Sequence, residues 1–349
     1  MKAAFRKYTL NFIRPGGTSR GVLTQKETYF ICLQAGGRWG IGEAGLFRGL
    51  SAEDHPDYET RLHAACRALE AGDEGVLETL RECPSIVFGL EQALRSLASP
   101  NPFELFPSRF LEGDPIPING LIWMGALQFM QQQIEEKIEA GFRCLKLKIG
   151  ALDFASELRL LREIRRRFPR EALEIRVDAN GAFSPGEALE KLQILSELGL
   201  HSIEQPIRAG QPDEMAALCA RTPLPIALDE ELIGWFHPEE KQALLERIQP
   251  QYIILKPSLV GGITGSGEWI EAAEARRIGW WVTSALESNI GLNAIAQWTA
   301  TLGVHMPQGL GTGSLFSNNF ESPLEVSGGK LWYRPETAWA TAQIKGLCT

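Results

Sequence analysis

Five short, β-prone runs in this chain end in a charged residue, and the charged residues recur at a near-constant interval. "CLKLKI" carries Lys148, "LEIRVDAN" carries Asp178, "HSIEQPI" carries Glu204, "LPIALDE" carries Asp229 and "QYIILKP" carries Lys256, so the steps are 30, 26, 25 and 27 residues. Amphipathic stretches such as "DFASELRLLREIRRRF" and "SPGEALEKLQILSELGL" lie between them, the second opening with Ser184 as a helix cap and Pro185 in the first turn. Strand, loop and helix repeated at this period is the signature of βα units. "GWWVTSAL" and "GVHMPQGLG" read as later strands and "PIPINGLIWMG" as the first. The series predicts an α/β fold with a (β/α)7β TIM-like barrel over residues 116–319. An open doubly wound sheet is the alternative, and it is disfavoured because no G-x-G-x-x-G follows a first strand. Residues 1–115 carry Gly-punctuated strand patterns followed by helical ones, which predicts an α+β capping domain, with 320–349 returning to pack on it.

In a parallel barrel all strand C-termini share one face, and that face holds the active site. Asp178, Glu204 and Asp229 therefore converge from three neighbouring strands. Three close carboxylates repel and drive one another toward protonation, a conflict that a hard divalent cation resolves. Oxygen ligands alone suit Mg2+, whereas zinc would recruit His or Cys. Lys146 and Lys148 share one face of their strand, opposite Leu145, Leu147 and Ile149. The pair is expected to face inward, where each lowers the other's pKa so that Lys148 serves as general base and Lys146 tunes it. Lys256 stands on the far side of the carboxylates. Gly261 and Gly262 fit either a plain turn or a close backbone approach to an anionic substrate; the sequence leaves both open. The five histidines are scattered and read as surface or core, and Trp280–Trp281 as core or interface.

Composition removes other classes. A formal net charge of −8 argues against nucleic-acid binding, and no run of about 18 apolar residues predicts a membrane span. No secretory core is visible near the start, and six scattered cysteines without C-x-x-C predict free thiols in a reducing cytoplasm.

The motifs K-x-K at 146–148, D-A-N at 178–180, I-E-Q-P at 203–206, L-D-E at 228–230 and L-K-P at 255–257 together resemble the enolase superfamily, and within it the muconate-lactonizing subgroup. The resemblance spans nearly the whole chain. It implies a capping domain over a (β/α)7β barrel, Mg2+ (with Mn2+ as a substitute) on Asp178, Glu204 and Asp229, and Lys148 and Lys256 across the site, acting on a proton α to a carboxylate. "RPGGTSRGVL" and "GLGTGSLFSNN" are similar to members that dehydrate a succinyl-hydroxycyclohexadiene carboxylate to 2-succinylbenzoate in menaquinone biosynthesis. That likeness implies a small dicarboxylate substrate, Lys148 returning its proton to the departing hydroxide and Lys256 remaining charged. It implies a segment at Thr18, Ser19 and Arg20 closing over the substrate, with Gly261, Gly262, Ser288, Asn289, Gly311 and Thr312 lining the pocket. Racemisation of N-acylamino acids or epimerisation of dipeptides is the alternative within the superfamily, since the same lysine pair serves both. The dipeptide epimerases carry an Asp-x-Asp pair after the eighth strand, where this chain reads "QGLGTGSL" at 308–315, without a carboxylate. A homo-oligomer is left open.

Overall fold

The computed structural model describes residues 1–18, 21–73 and 75–348, the side chain of Thr18 excepted. The chain starts with β1 (Lys2–Thr18), β2 (Gly21–Ala35) and β3 (Arg38–Ala44), an antiparallel sheet in that order. α1 (Tyr58–Glu70), the short α2 (Val76–Thr79) and α3 (Pro84–Ala98) follow. Tyr29, Ile31 and Leu33 on one face of β2 are fully buried against Leu62, Ile86, Leu90 and Ala93, so strand period and helix period meet in one core. The alternate glycines of "WGIG" have a packing reason: a Cβ on Gly42 would strike the Gly89 carbonyl, so α3 lies directly on β3.

The chain then runs through β4 (Ile116–Pro117), β5 (Gly120–Ile122), α4 (Leu127–Glu139), β6 (Cys144–Lys148), α5 (Phe154–Arg167), β7 (Glu174–Asp178), α6 (Pro185–Ser196), β8 (Ser202–Glu204), α7 (Pro212–Cys219) and β9 (Ile226–Leu228). It continues with α8 (Pro238–Ile248), β10 (Tyr252–Leu255), α9 (Pro257–Val260), α10 (Gly262–Glu274), β11 (Gly279–Val282) and α11 (Asn289–Thr301). Strands β5 to β11 form one parallel ladder in sequence order. Gln308 and Gly309 close it into a barrel: Gln308 bridges Ile118, Gly309 bridges Thr283, and the Gln308 N–H donates to the Pro117 carbonyl at 2.8 Å. The expected last strand is thus reduced to single bridges. The expected first strand is split, since Ile116–Pro117 pairs outside the barrel. Ser184 caps α6 as expected, its N–H donating to Glu187 Oε1 at 3.1 Å.

β12 (Leu324–Ser327) and β13 (Lys330–Tyr333) form a hairpin that takes β4 as third strand, with Gly329 against the Gly141–Phe142 turn at the N-terminal ends of the barrel strands. After it, Trp339 stacks on Phe103 and α12 (Thr341–Lys345) sends Ile344 into a cluster with Phe30 and Ile41 of the first sheet. Cys348 is disulfide-bonded to Cys32 of β2, while Cys66, Cys83, Cys144 and Cys219 are free and buried. This corrects the expectation of six free thiols. The fold brings two residues 316 apart in sequence to a Cα separation of 5.3 Å, which no local spacing announces. Among the described residues no helix is long and apolar enough to cross a membrane.

Candidate active site

Parallel register sets the charged ring. Lys148 pairs with Asp178 across β6 and β7, and Asp178 with Glu204 across β7 and β8. Asp229 and Lys256 directly follow β9 and β10. The alternation expected in β6 holds: Leu145, Leu147 and Ile149 are buried in the layer beneath the helices, while the Lys146 and Lys148 side chains face the barrel interior, 13% and 12% exposed.

Lys146 Nζ lies 3.0 Å from Asp178 Oδ2 and 2.5 Å from Glu204 Oε2. Lys148 Nζ donates to the same Asp178 oxygen at 2.9 Å and to Asn180 Oδ1 at 2.8 Å. Lys256 Nζ is ion-paired with Asp229 Oδ2. Asn180 sits in the left-handed region at φ 43°, where Asn is tolerated, and its Nδ2 donates to Glu230 Oε1 at 3.0 Å. Asn180 and Glu230 were quoted above only as parts of the D-A-N and L-D-E motifs; the structure makes Asn180 a bracket of Lys148 and Glu230 the acceptor that holds Asn180.

Electrostatics divide the ring unevenly. Burial works against every charge here, but Lys146 and Lys148 outweigh it at Asp178, and Lys256 and Lys146 at Asp229, so both carboxyls stay below the usual range. Glu204 goes the other way: burial and then Asp178 push it well above the ordinary glutamate value. Burial also opposes the Lys146 ammonium, yet Asp178, Glu204 and Asp229 more than offset it and raise its pKa; Lys256 is raised likewise, chiefly by Asp229. The expected lowering of Lys146 by its neighbour is therefore corrected, because three carboxylates surround it. Protonation pressure falls on Glu204 alone.

Glu204 Oε1 is buried without a hydrogen-bond partner among the described residues. Three carboxylates at adjacent strand ends, one with a vacant acceptor, match the donor chemistry of a hard divalent cation. As the side chains stand, each carboxylate is drawn onto an ammonium group, and among the described residues no three His, Cys, Asp or Glu side chains form a ready metal cluster.

Above the ring opens a cavity of about 460 Å³. Its floor includes Lys146, Lys148, Lys256, Asn180 and Glu230, and its walls include Gly311 and Thr312, as expected. The hairpin of β1 and β2 contributes Ile13, Arg14 and Leu23, and the chain after β3 contributes Phe47 and Arg48. Arg48 is already held by Glu27 at 2.9 Å and Asp54 at 2.7 Å, while Arg14 is 3.8 Å from Glu136. The Gly-punctuated strand patterns of the first domain give no sign that Arg14 and Arg48 reach a site whose charged strand ends begin at Lys148.

Other expected pocket residues lie elsewhere. Gly261 and Gly262 are not in the cavity wall. Glu91 of α3 covers that turn, accepting from the Ile263 N–H at 2.5 Å, the Thr264 N–H at 3.0 Å and the Thr264 hydroxyl at 2.6 Å. Ser288 is fully buried and bound to Glu43, and Asn289 faces a separate surface cavity near Phe320. Of the expected closing segment, the backbone of Thr18 ends β1, and Ser19 and Arg20 lie outside the described residues.

Comparison with known proteins fits this geometry. Residues 129–336 match the family described as Enolase C-terminal domain-like. The o-succinylbenzoate synthase of Desulfotalea psychrophila is 50% identical, over 95% of this chain and 98% of that protein. The crystal structure of MenC from the same organism superposes with a TM-score of 0.84 at 47% identity, covering 95% of this chain and 99% of that one. The substrate-liganded L-Ala-D/L-Glu epimerase of Bacillus subtilis superposes almost as well, with a TM-score of 0.82 and coverage of 95% and 96%, but at 21% identity, so it speaks for the fold alone. On the strand-end ring, the barrel beneath it and these matches, the chain belongs to the enolase superfamily.

Proposed function

We propose that this chain is a Mg2+-dependent o-succinylbenzoate synthase, dehydrating 2-succinyl-6-hydroxy-2,4-cyclohexadiene-1-carboxylate to 2-succinylbenzoate in menaquinone biosynthesis. The observation that carries the chemistry is the pair of lysines facing one cavity from opposite flanks of three carboxylates. The near full-length 50% identity to a synthase supports the substrate.

Two of the three donor positions of Lys148 Nζ are fixed by Asp178 and Asn180, which leaves the remaining direction for the cavity. From there Lys148 removes the proton α to the ring carboxylate and returns it to the hydroxyl that leaves from the same face, so the net loss is one water. Lys256, kept charged by Asp229, faces the anion that forms between the two steps and stabilises it electrostatically. Lys146 shares the Asp178 oxygen with Lys148, so two cationic positions compete for one counter-charge. Members of the superfamily generally use Mg2+; held by Asp178, Glu204 and Asp229, it would supply positive charge to the substrate carboxylate as the proton leaves. The dicarboxylate substrate matches a cavity whose walls add Arg14, Arg48 and Lys137 to Lys146, Lys148 and Lys256. A cytoplasmic location fits a step in small-molecule biosynthesis.

Epimerisation of a free dipeptide is the competing use of the same lysines. Among the described cavity residues the carboxylates are Glu136, which faces Arg14, and Glu230, which accepts from Asn180. The 308–315 segment has none. A buried ammonium without a partner costs several kcal/mol. One preparation offered the cyclohexadiene, an N-acylamino acid and L-Ala-L-Glu should dehydrate the first efficiently, racemise the second slowly and leave the dipeptide unchanged, read by ultraviolet absorbance and by solvent deuterium at the α-carbon. Faster turnover of the dipeptide than of the diene would replace this reading with the epimerase.

A further inference from the structure

Behind the cavity wall lies a buried polar chain that crosses from the first domain into the barrel, and the direction of its hydrogen bonds has a chemical consequence. Glu287 is fully buried. Its Oε1 accepts from the Ser258 hydroxyl at 2.5 Å and its Oε2 from the Ser284 hydroxyl at 2.7 Å. Lys26 Nζ is buried without a hydrogen-bond partner among the described residues; burial lowers its pKa, and the nearby Glu287 and Glu43 act against that lowering. Glu43 in turn fixes the start of α11, accepting from the Ser288 hydroxyl at 2.5 Å, the Ser288 N–H at 3.0 Å and the Gly291 N–H at 2.9 Å.

A carboxylate can only accept, and a serine hydroxyl has one proton. Ser284 gives its proton to Glu287, so its oxygen can only accept from its other neighbours. One of these is the Leu286 N–H at 3.0 Å and the other is the Thr312 hydroxyl at 2.7 Å. Thr312 must then donate inward to Ser284, and its oxygen presents only lone pairs to the cavity that it lines.

We propose that Glu287 is a positioning residue that, through Ser284, fixes Thr312 as a hydrogen-bond acceptor for the hydroxyl group of the substrate. The assignment rests on the synthase reading above. In the dianionic cyclohexadiene both carboxylates and the ketone are acceptors, and the hydroxyl that leaves is the one donor. An acceptor on the wall is matched to that group alone. Once its proton is held by Thr312, the hydroxyl oxygen turns its own lone pairs away from that wall and toward a proton donor. The aromatic product has lost this hydroxyl and offers Thr312 nothing.

Substrate and product can therefore be told apart. In Thr312→Val, kcat/KM for the diene should fall about threefold to tenfold, the size of one neutral hydrogen bond, while the dissociation constant of 2-succinylbenzoate measured by calorimetry stays at the wild-type value. Thr312→Ser should restore turnover. Thr312→Ala, which places no branched methyl in the wall, should behave as the valine variant does. Glu287→Gln allows an amide N–H to donate and breaks the one-way order. It should lower kcat/KM in the native background and add nothing in the Thr312→Val background, whereas a purely structural role would add in both. Equal weakening of substrate and product in Thr312→Val, or wild-type kinetics in that variant, would overturn the assignment while leaving the synthase activity standing. A wild-type protein that does not dehydrate the diene would refute the activity itself, and the assignment with it.

Discussion

Asn180→Gly isolates the bracket that aims Lys148. The Asn180 side chain accepts from Lys148 Nζ at 2.8 Å and donates to Glu230 at 3.0 Å. Glycine adopts the native φ of 43° without strain, so the backbone turn survives and only the side chain is lost. Lys148 then keeps one anchor, the Asp178 oxygen at 2.9 Å. A hydrogen bond to a charged group contributes about 1.5–3 kcal/mol, which at about 1.4 kcal/mol per decade is a fall in kcat of about tenfold to 150-fold. On the proposed role of Lys148 as the base, kcat should carry the loss and KM should change little. Steady-state dehydration followed in the ultraviolet reads the effect, and a thermal melt confirms that the fold is kept. A folded variant with kcat within about twofold of the wild type would show that Asp178 alone positions the base, since such a change is below one ordinary hydrogen bond.

Three further outcomes are expected. A chelator should stop turnover and added Mg2+ or Mn2+ should restore it, and Asp229→Asn should weaken Mg2+ binding measured by calorimetry; unchanged affinity would take Asp229 out of the metal site. Burial pushes Glu53 up to about 6, so the folded state binds that proton more tightly than the unfolded chain does. Its contribution to stability is complete below the ordinary glutamate pKa of 4.5 and is lost as pH rises through about 6, a difference of about 2 kcal/mol. Urea unfolding of Glu53→Gln should lack that part of the decline between these pH values; an identical decline in the variant would assign it to other groups.

The barrel and its charged ring were legible because both obey short-range rules. Period two in "CLKLKI" sends Lys146 and Lys148 to one face, and one βα unit per 25–30 residues puts five strand ends in register. What the sequence hid depends on distant partners. Gly261 and Gly262 carry the right backbone freedom for a ligand, but Glu91, about 170 residues earlier, takes the N–H groups that follow them. Ser288 has the look of a pocket residue and is spent on Glu43 of β3. Cys32 and Cys348 meet only because the C-terminal segment folds back onto β2. Asn180 and Glu230 stood in recognised motifs, yet their roles follow from the left-handed turn at Asn180, which no periodicity reports. The expected pKa direction of Lys146 failed for a similar reason: K-x-K shows one neighbouring cation, and the folded site adds three carboxylates.

Lys148→Ala tests the central claim most directly. The account predicts a protein that melts as the wild type does, binds Mg2+ with native affinity, and has lost at least the 10²–10⁴-fold that a positioned base typically contributes to turnover of the cyclohexadiene. Turnover within about tenfold of the wild type in a folded, Mg2+-binding Lys148→Ala variant would contradict it, because that residual rate is too high for an enzyme that has lost its base.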